Sequence, residues 1–237
     1  ESIADLRGGD ERIAELESEL SAIKKNLLNS AKNLTQVRLE AAEQLASAVS
    51  GELKHLSMPH TELIIDLVTP DYAGALKESD FTPLGCDEVA ISIKAHANAN
   101  KVAIGKGASG GEMSRIMLAL EVVIAKTHPV GTYIFDEVDA GVGGKAAIEV
   151  GRRLHLLAQS SQVIVVTHLP QVAAWADTHF RVEKRSDGSI VESGVERLSD
   201  EQRVEEIARM LAGLEESASA LEHASELLAM RGEALNR

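Results

Sequence analysis

The sequence predicts an α/β protein in which a parallel sheet flanked by helices follows a long helical coiled-coil arm. Two observations predict this fold: apolar residues recur every seven positions at the start of the chain, and two apolar strand-like segments later enclose a helical pattern. We therefore divide the chain into an arm at residues 1–57 and a lobe at residues 58–237.

The arm is predicted from Leu6 onward, where an apolar or small residue recurs every seven positions through Ala48. Several positions three residues further on are also apolar, which gives the a and d pattern of a coiled-coil seam. The run without proline favours an arm over the alternative, an amphipathic helix packed on a globular core. The seam requires a partner helix. Because the first residue is Glu1 rather than Met and the pattern begins partway along the arm, we expect the arm to belong to a longer polypeptide.

The lobe is predicted to begin after the break at Met58-Pro59 and to alternate short strands with helices. The predicted strands are 63–68, 89–94, 102–104, 132–135 and 163–167, and the predicted helices are 112–127, 144–159 and a short one after Pro170. A hairpin with strands 180–184 and 190–192 around a turn at 186–189 comes next, and two amphipathic helices finish the chain. The order strand, helix, strand over 132–167 is that of a parallel βαβ unit.

Composition excludes several classes of protein. The net charge of −13 argues against a chain that coats nucleic acid by itself, so any DNA contact must be local or shared. The longest apolar stretch, 116–125, is interrupted by Glu121 and falls short of the roughly 18 residues of a membrane span. With a single cysteine, Cys86, and no signal segment at its start, the chain is expected to be cytoplasmic.

Charged and polar residues follow both strands of the βαβ unit. Asp136-Glu137 comes directly after the first strand, and Thr167-His168 ends the second. Because ligands sit at the carboxyl ends of parallel strands, we expect these side chains on one rim. Two carboxylates and an imidazole suit phosphoryl transfer, which needs a Mg²⁺ ligand, a group that orients water and a group that senses the phosphate. The alternative is coincidence, since acids often end strands.

A glycine-rich loop, GASGGE at 107–112, directly precedes a predicted helix. Glycines let the backbone approach a ligand, and the helix N-terminus directs N–H groups toward an anion, to which Ser109 adds a hydroxyl. The alternative is a helix cap, with Ser109 or Gly110 as the N-cap and Glu112 completing a capping box. The residues alone leave both interpretations open.

Two other nucleotide motifs are disfavoured. Gly105-x-Gly107-x-x-Gly110 matches a dinucleotide fingerprint, but that fingerprint requires an acid about 20 residues later, and the residues between Glu121 and Asp136 include none. The sequence also contains no Walker A motif, the loop that anchors ATP phosphates.

Three segments together carry a specific resemblance: ASGGEMSR at 108–115, IFDEVDAGVGG at 134–144 and VTHLPQV at 166–172. In order and spacing they resemble the signature, Walker B and switch-histidine motifs in the C-terminal half of the RecN family, bacterial SMC-like DNA-repair ATPases of the ABC superfamily. The resemblance covers the whole chain, including the coiled-coil strand that returns to the head. It implies that the lobe is the C-terminal lobe of an ABC-type ATPase head.

The resemblance also implies roles for individual residues. Ser109, Gly110 and Gly111, with Glu112 in the same motif, would contact the terminal phosphate of ATP held by another head. Asp136 would support Mg²⁺, Glu137 would polarise the attacking water, and His168 would contact the terminal phosphate. The D-loop would comprise Asp139, Ala140, Gly141 and Gly143. Most ABC proteins have aspartate where this chain has Gly143, which leaves the contact made by that aspartate in question.

The implied partners are an N-terminal lobe that carries Walker A, a second head in a homodimer, and DNA, without a membrane. The implied function is ATP hydrolysis between two heads during double-strand-break repair at the nucleoid, and the chain by itself is expected to be inactive. Two alternatives remain. One is the same lobe of another SMC-type protein or of a transporter, although the arm argues against a transporter, and the other is a noncatalytic coiled-coil scaffold.

Overall fold

The computed structural model describes residues 3–74, 76–106, 108–125, 127, 130–186, 191–213 and 218–235. Side chains within 3–10, 184–186, 191–193 and 233–235 lie outside this description. The predicted turn residues 187–189, the loop residue Gly107 and the helix-stopping pair His128-Pro129 also lie outside the described residues.

Helices and strands alternate after one long first helix. The helices are α1 Ile3–His55, α2 Gly110–Ile124, α3 Gly144–Leu157, α4 Pro170–Ala173, α5 Asp200–Ala212 and α6 Ala218–Leu235. The strands are β1 Glu62–Val68, β2 Glu88–Lys94, β3 Val102–Ala103, β4 Thr132–Phe135, β5 Gln162–Val165, β6 Phe180–Ser186 and β7 Val191–Arg197. Within the described residues they form three sheets, ordered β1-β2-β3, β4-β5 and β6-β7. The α/β class predicted from the sequence is confirmed.

The chain divides into two compact units. The first contains Glu1–Ala46 and Ile64–Ser92, and the second contains Ser47–Leu63 and Ile93–Arg237. The helix α1 contributes to both units, and all the motif residues singled out from the sequence belong to the second.

In the first unit, α1 is a continuous helix, as its heptad pattern predicted. Its apolar seam faces water: the exposed large side chains include Ile13, Leu16, Leu20, Ile23 and Leu27. This exposure disagrees with the alternative of an amphipathic helix packed along a core over these residues. The seam is therefore available to a second helix, and pairing into a coiled coil stays a prediction.

The same unit contains a buried polar cluster centred on Asp87. Its carboxylate, 1% exposed, accepts hydrogen bonds from the Thr35 hydroxyl at 2.6 Å and from Arg38 Nη1 at 3.0 Å. Arg38 also donates to the Leu84 carbonyl at 2.6 Å. A buried carboxylate requires such donors, and here they connect α1 to the segment before β2.

In the second unit, β4 and β5 form the parallel pair that the βαβ pattern predicted. Tyr133 and Phe135 on β4 are buried, whereas Ile134 is 72% exposed, and Ile164 of the neighbouring β5 is 45% exposed. Side chains alternate between the two faces of a strand, so one face of this sheet packs on the lobe and the other is open and apolar.

The helix α3 packs tightly against the residues that follow β5. At Gly151 an added Cβ would overlap Trp175 Cδ1 and lie 3.1 Å from the carbonyl oxygen of Gln171. Arg153, also on α3, pairs with Glu52 at 3.1 Å and so joins α3 to the last turns of α1 inside the second unit. A further core joins α4, α5 and α6 through Ala173, Ala174, Ile207, Ala208, Ala220, Ala224 and Leu227.

Several predicted boundaries were wrong. The strand predicted at 163–167 is β5 and ends at Val165, because the Thr167 side chain bonds within the following loop. The second hairpin strand was predicted at 190–192, but β7 extends to Arg197, because pairing with β6 continues through Gly194, which lies opposite Glu183. Among the described residues, no helix is long and apolar enough to cross a membrane.

The contact at Gly151 predicts the effect of one added methyl group. Gly151→Ala should lower the free energy of unfolding by about 1–3 kcal/mol, because the indole and a backbone carbonyl must both move. The matched control is Gly51→Ala in α1, where an added Cβ meets nothing within 4 Å, so the higher helix propensity of alanine should be neutral or stabilising. Urea unfolding of both variants measures the difference. Equal stability would contradict the close packing of α3.

Candidate functional site

The carboxyl ends of β4 and β5 lie at one edge of their sheet. The strands are parallel, and Phe135 at the end of β4 lies opposite Val165 at the end of β5. The chain then continues from β4 into residues 136–139 and from β5 into residues 166–168, so both predicted segments emerge at the same edge. Asp136, Glu137 and His168 are all exposed there.

Glu137 has a left-handed backbone conformation, with φ of 56°. Its carbonyl oxygen accepts a hydrogen bond from the Ala140 N–H at 3.0 Å, which closes the turn after β4. A residue with a Cβ avoids this region at a cost of about 1–2 kcal/mol, and such strain concentrates at functional sites. The turn places the Glu137 carboxylate beside the N-terminus of α2, where Oε2 would lie 3.2 Å from a Cβ at Gly110.

A capping box begins α2. Ser109 is the N-cap: its Oγ accepts from the Glu112 N–H at 3.4 Å, and its own N–H donates to Glu112 Oε2 at 2.9 Å. The Ser109 hydroxyl also donates to Glu112 Oε2 at 2.8 Å. These hydrogen bonds, from the backbone first and the side chain second, lower the pKa of Glu112. The cap and the anion-site interpretations therefore involve the same atoms.

Gly110 and Gly111 form the first turn of α2, where the N–H groups of a helix have no intrahelical acceptor. Gly111 is buried against the loop after β4: an added Cβ would lie 2.8 Å from Ala140 Cβ and 3.0 Å from its carbonyl oxygen. The glycine-rich motif thus brings the α2 N-terminus against the predicted D-loop of the same chain, and this contact requires glycine at position 111.

Two further side chains of α2 join it to the loop after β4. The Ser114 hydroxyl donates to the Asp136 carbonyl at 3.0 Å, and Arg115 Nη1 donates to the Ala140 carbonyl at 2.7 Å. Arg115 is buried, and within the described structure its Nε has no hydrogen-bond partner. Desolvation lowers the pKa of Arg115, and the nearby Glu112 carboxylate opposes this shift. The buried guanidinium thus joins α2 to the loop after β4.

Asp139 lies behind the exposed rim. Its side chain is 2% exposed and accepts a short hydrogen bond through Oδ2 from the Thr167 hydroxyl. The Thr167 oxygen in turn accepts from the Leu169 N–H at 3.0 Å. His168 Nδ1 lies 3.7 Å from the same Asp139 oxygen, while the imidazole is 76% exposed. The loops after β4 and β5 are therefore joined through one buried carboxylate.

The structure brings the sequence-predicted residues together at one edge of the second unit. Of the predicted D-loop, the Asp139 side chain faces inward, whereas Gly141 and Gly143 are exposed. The predictions missed the contributions of Ser114, Arg115 and Thr167, although all three lie within the segments that carried the resemblance. A polar residue on an otherwise apolar helix face, such as Arg115 beside Ile116, was the available signal.

Known proteins with similar sequences are DNA-repair proteins. The chain is 53% identical over 215 residues to "DNA repair protein RecN" of Streptomyces coelicolor, and the match covers 89% of this chain and 38% of the relative. It is 44% identical over 241 residues to the RecN of Mycobacterium leprae, covering 96% of this chain and 40% of the relative. The RecN of Treponema pallidum is 39% identical over 213 residues. The chain spans about two fifths of the length of these curated relatives.

Solved structures with a similar fold are Smc head domains. The head domain with an extended coiled coil from Pyrococcus furiosus, bound to the C-terminal domain of ScpA, has a TM-score of 0.58 at 26% identity, covering 81% of this chain and 44% of that one. The head domain with a coiled coil and joint from Pyrococcus yayanosii has a TM-score of 0.55 at 26% identity, covering 86% and 38%. No protein-family model matches the chain.

The close approach at Gly111 predicts a second substitution effect. Gly111→Ala should separate α2 from the loop after β4 and lower the free energy of unfolding by about 1–3 kcal/mol. The control is Gly131→Ala just before β4, where an added Cβ meets nothing within 4 Å. Thermal unfolding of the two variants measures the effect. A Gly111 variant as stable as its control would show that this contact is loose.

The capping box predicts a pH dependence. Because the folded pKa of Glu112 is lowered, its contribution to stability is full above the unfolded pKa of about 4.3 and is lost as the pH falls through the folded pKa. Ser109→Ala should lower the free energy of unfolding by about 1 kcal/mol at neutral pH, and the difference from the unsubstituted chain should narrow below pH of about 4.

Glu112→Gln provides the control, since an amide accepts the same hydrogen bonds and does not titrate in this range. In the Glu112→Gln background, Ser109→Ala should cost the same at neutral and acidic pH. Chemical denaturation across this pH range measures both differences. If the Ser109→Ala effect were independent of pH with Glu112 in place, the carboxylate would not be coupled to the cap.

Proposed function

We propose that this chain, which is similar to RecN proteins over about two fifths of their length, forms the signature and Walker B side of an ATPase head that acts in DNA double-strand-break repair and recombination. The observation that carries the proposal is the strained Glu137, held between the β4 edge and the N-terminus of α2 with Asp136 and His168 on the same edge. Backbone strain of this kind concentrates at functional sites, which favours a catalytic role for Glu137.

Each residue at this edge has a role in the proposed hydrolysis. Glu137 polarises a water for attack on the terminal phosphate of ATP, and His168 contacts that phosphate. Ser109 and the Gly110 and Gly111 N–H groups present donors at a helix N-terminus, which suits the terminal phosphate of an ATP held by a second head. The Gly141 and Gly143 surface belongs to the same head-to-head contact. None of these steps needs the residues to move to another face of the lobe.

The donor set at this edge fits Mg²⁺. Among the described side chains, no three His, Cys, Asp or Glu residues cluster into a metal cage. Mg²⁺ does not need one, because it commonly keeps several waters and takes one or two carboxylates together with substrate phosphates. Asp136, exposed at the end of β4, is such a carboxylate. The ion would neutralise charge that develops on the phosphate oxygens.

The sequence contains no Walker A motif, the loop that anchors the ATP phosphates. We therefore propose that the phosphates are anchored by an N-terminal lobe that carries Walker A and that two heads close on ATP. The open apolar face of β4 and β5 suits packing against such a lobe, because parallel sheets are normally covered on both faces.

The arm and the cellular setting complete the proposal. The exposed seam of α1 suits a second helix that pairs with it as a coiled coil. The net charge of −13 argues against nonspecific coating of DNA by this chain. We therefore propose that DNA is contacted locally or by the complete assembly. We propose a location in the cytoplasm at the nucleoid, which suits a role in DNA repair.

The proposal predicts the effect of Glu137→Gln in this chain joined to a RecN N-terminal lobe that carries Walker A. The variant should retain ATP and hydrolyse it about 10²- to 10⁴-fold more slowly, because an amide cannot polarise water as a carboxylate does. Retained nucleotide is measured by filter binding and turnover by phosphate release.

The matched control is Glu205→Gln, an exposed glutamate on α5 away from this edge, which should leave turnover unchanged. The present chain alone should bind ATP weakly or not at all. Normal turnover of the Glu137 variant would remove Glu137 from its proposed role, and tight ATP binding by the chain alone would contradict the need for a Walker A lobe.

A further inference from the structure

We infer that Asp139 is a positioning residue for His168: its buried carboxylate receives the imidazole Nδ1–H and thereby directs Nε2 outward, toward the phosphate. The inference rests on the proposed function, because it gives Asp139 a task within that site. It differs from a role for the Asp139 side chain in the contact between two heads, since that side chain is 2% exposed.

Asp139 is a buried carboxylate with one hydrogen-bond donor among the described residues. Asp139 Oδ2 accepts the Thr167 hydroxyl, whereas a carboxylate offers about four acceptor positions. A buried carboxylate requires further donors or a positive partner, because its desolvation is otherwise uncompensated. His168 Nδ1, 3.7 Å from Oδ2, is such a partner. The distance exceeds that of a hydrogen bond, so the inference requires the exposed ring to rotate until Nδ1 comes within hydrogen-bond distance of Oδ2.

Hydrogen bonds hold the residues on both sides of His168. The Thr167 hydroxyl donates to Asp139, and its oxygen accepts from the Leu169 N–H. Thr167 and Leu169, the two neighbours of His168 in the sequence, are therefore bonded to each other, and Thr167 is also bonded to the carboxylate. His168 itself keeps a ring that is 76% exposed. An anchored backbone with an exposed ring allows the imidazole to contact a ligand while Nδ1 faces protein, and the acceptor at one ring nitrogen fixes the tautomer of the other.

A purely structural role for Asp139 makes different predictions. If the carboxylate only joins the two loops through Thr167, removing it lowers stability. Its effect on turnover is then additive with the effect of removing His168. If it positions the imidazole, its effect on turnover disappears once His168 is removed, because the two residues act as one unit.

The first experiment needs no nucleotide and uses the present chain. Nitrogen-15 NMR of histidine-labelled protein in mildly alkaline buffer reports which ring nitrogen carries the proton. His168 is assigned by the signal lost in His168→Gln. The unsubstituted chain should hold the proton on Nδ1, and Asp139→Asn and Thr167→Val should shift the population toward Nε2–H. Thr167→Ser, which keeps the hydroxyl, should leave the proton on Nδ1, as in the unsubstituted chain.

The control for Thr167→Val is Thr132→Val. The Thr132 hydroxyl also bridges the chain segments of β4 and β5, donating to Gln162 Oε1 at 3.0 Å, but it lies at the opposite edge of the sheet. This variant should leave the His168 tautomer unchanged. Urea unfolding of every variant establishes that the lobe remains folded, and Asp139→Asn, with nearly the same shape, guards against a simple loss of folding.

The second experiment is a double-mutant cycle in the chain joined to a Walker A lobe. Asp139→Asn should lower kcat by about 10- to 100-fold, the range for an orienting carboxylate behind a histidine, with little change in KM. In a His168→Gln background, Asp139→Asn should have no further effect on kcat.

The outcomes separate the two proposals. An unchanged tautomer in Asp139→Asn, or additive losses in the cycle, overturns the positioning role of Asp139 whatever the ATPase data show. A shifted tautomer together with normal turnover of His168→Gln supports the contact and overturns the role of His168 in hydrolysis. A shifted tautomer with a nonadditive cycle supports both.

Discussion

The parallel pairing of β4 with β5 is the constraint on which the candidate site depends. With Phe135 opposite Val165, the loops after both strands emerge at one edge, and residues about thirty positions apart in the sequence meet there. The buried Asp139 joins those loops, and the N-terminus of α2 is held to the first of them by Arg115. A shift of the register by one residue would turn every side chain of one strand to the other face and dissolve this arrangement.

The α2 N-terminus shows how the same atoms serve the fold and the proposed chemistry. In this structure the Glu112 carboxylate accepts both the N–H and the hydroxyl of Ser109 and so neutralises the positive end of the helix. A phosphate that takes the Ser109 hydroxyl must displace that carboxylate, which exchanges one anion for another at the same helix end. The cap is therefore the resting arrangement of the proposed site.

Sequence periodicity predicted the elements, and it could not predict contacts between distant residues. The heptads gave the length of α1, and the apolar runs around α3 gave the parallel pair, because both signals are local. The Thr167 hydroxyl donates to Asp139, 28 positions earlier, and the buried Arg115 donates to the Ala140 carbonyl, 25 positions later. The rim residues were predictable because strand ends mark them, whereas the residues that support the rim carry no such signal.

Because the backbone at position 137 is left-handed, the residue that is best for stability there differs from the residue that the proposed chemistry requires. Glycine would adopt this conformation without the cost of about 1–2 kcal/mol that a Cβ incurs, and it would remove the carboxylate at the same time. Selection for thermal tolerance alone would therefore favour glycine here, and only selection for turnover would retain glutamate. In a library of this chain joined to a Walker A lobe, sorting for heat resistance would therefore be expected to enrich glycine at position 137, and sorting for ATP hydrolysis would be expected to enrich glutamate.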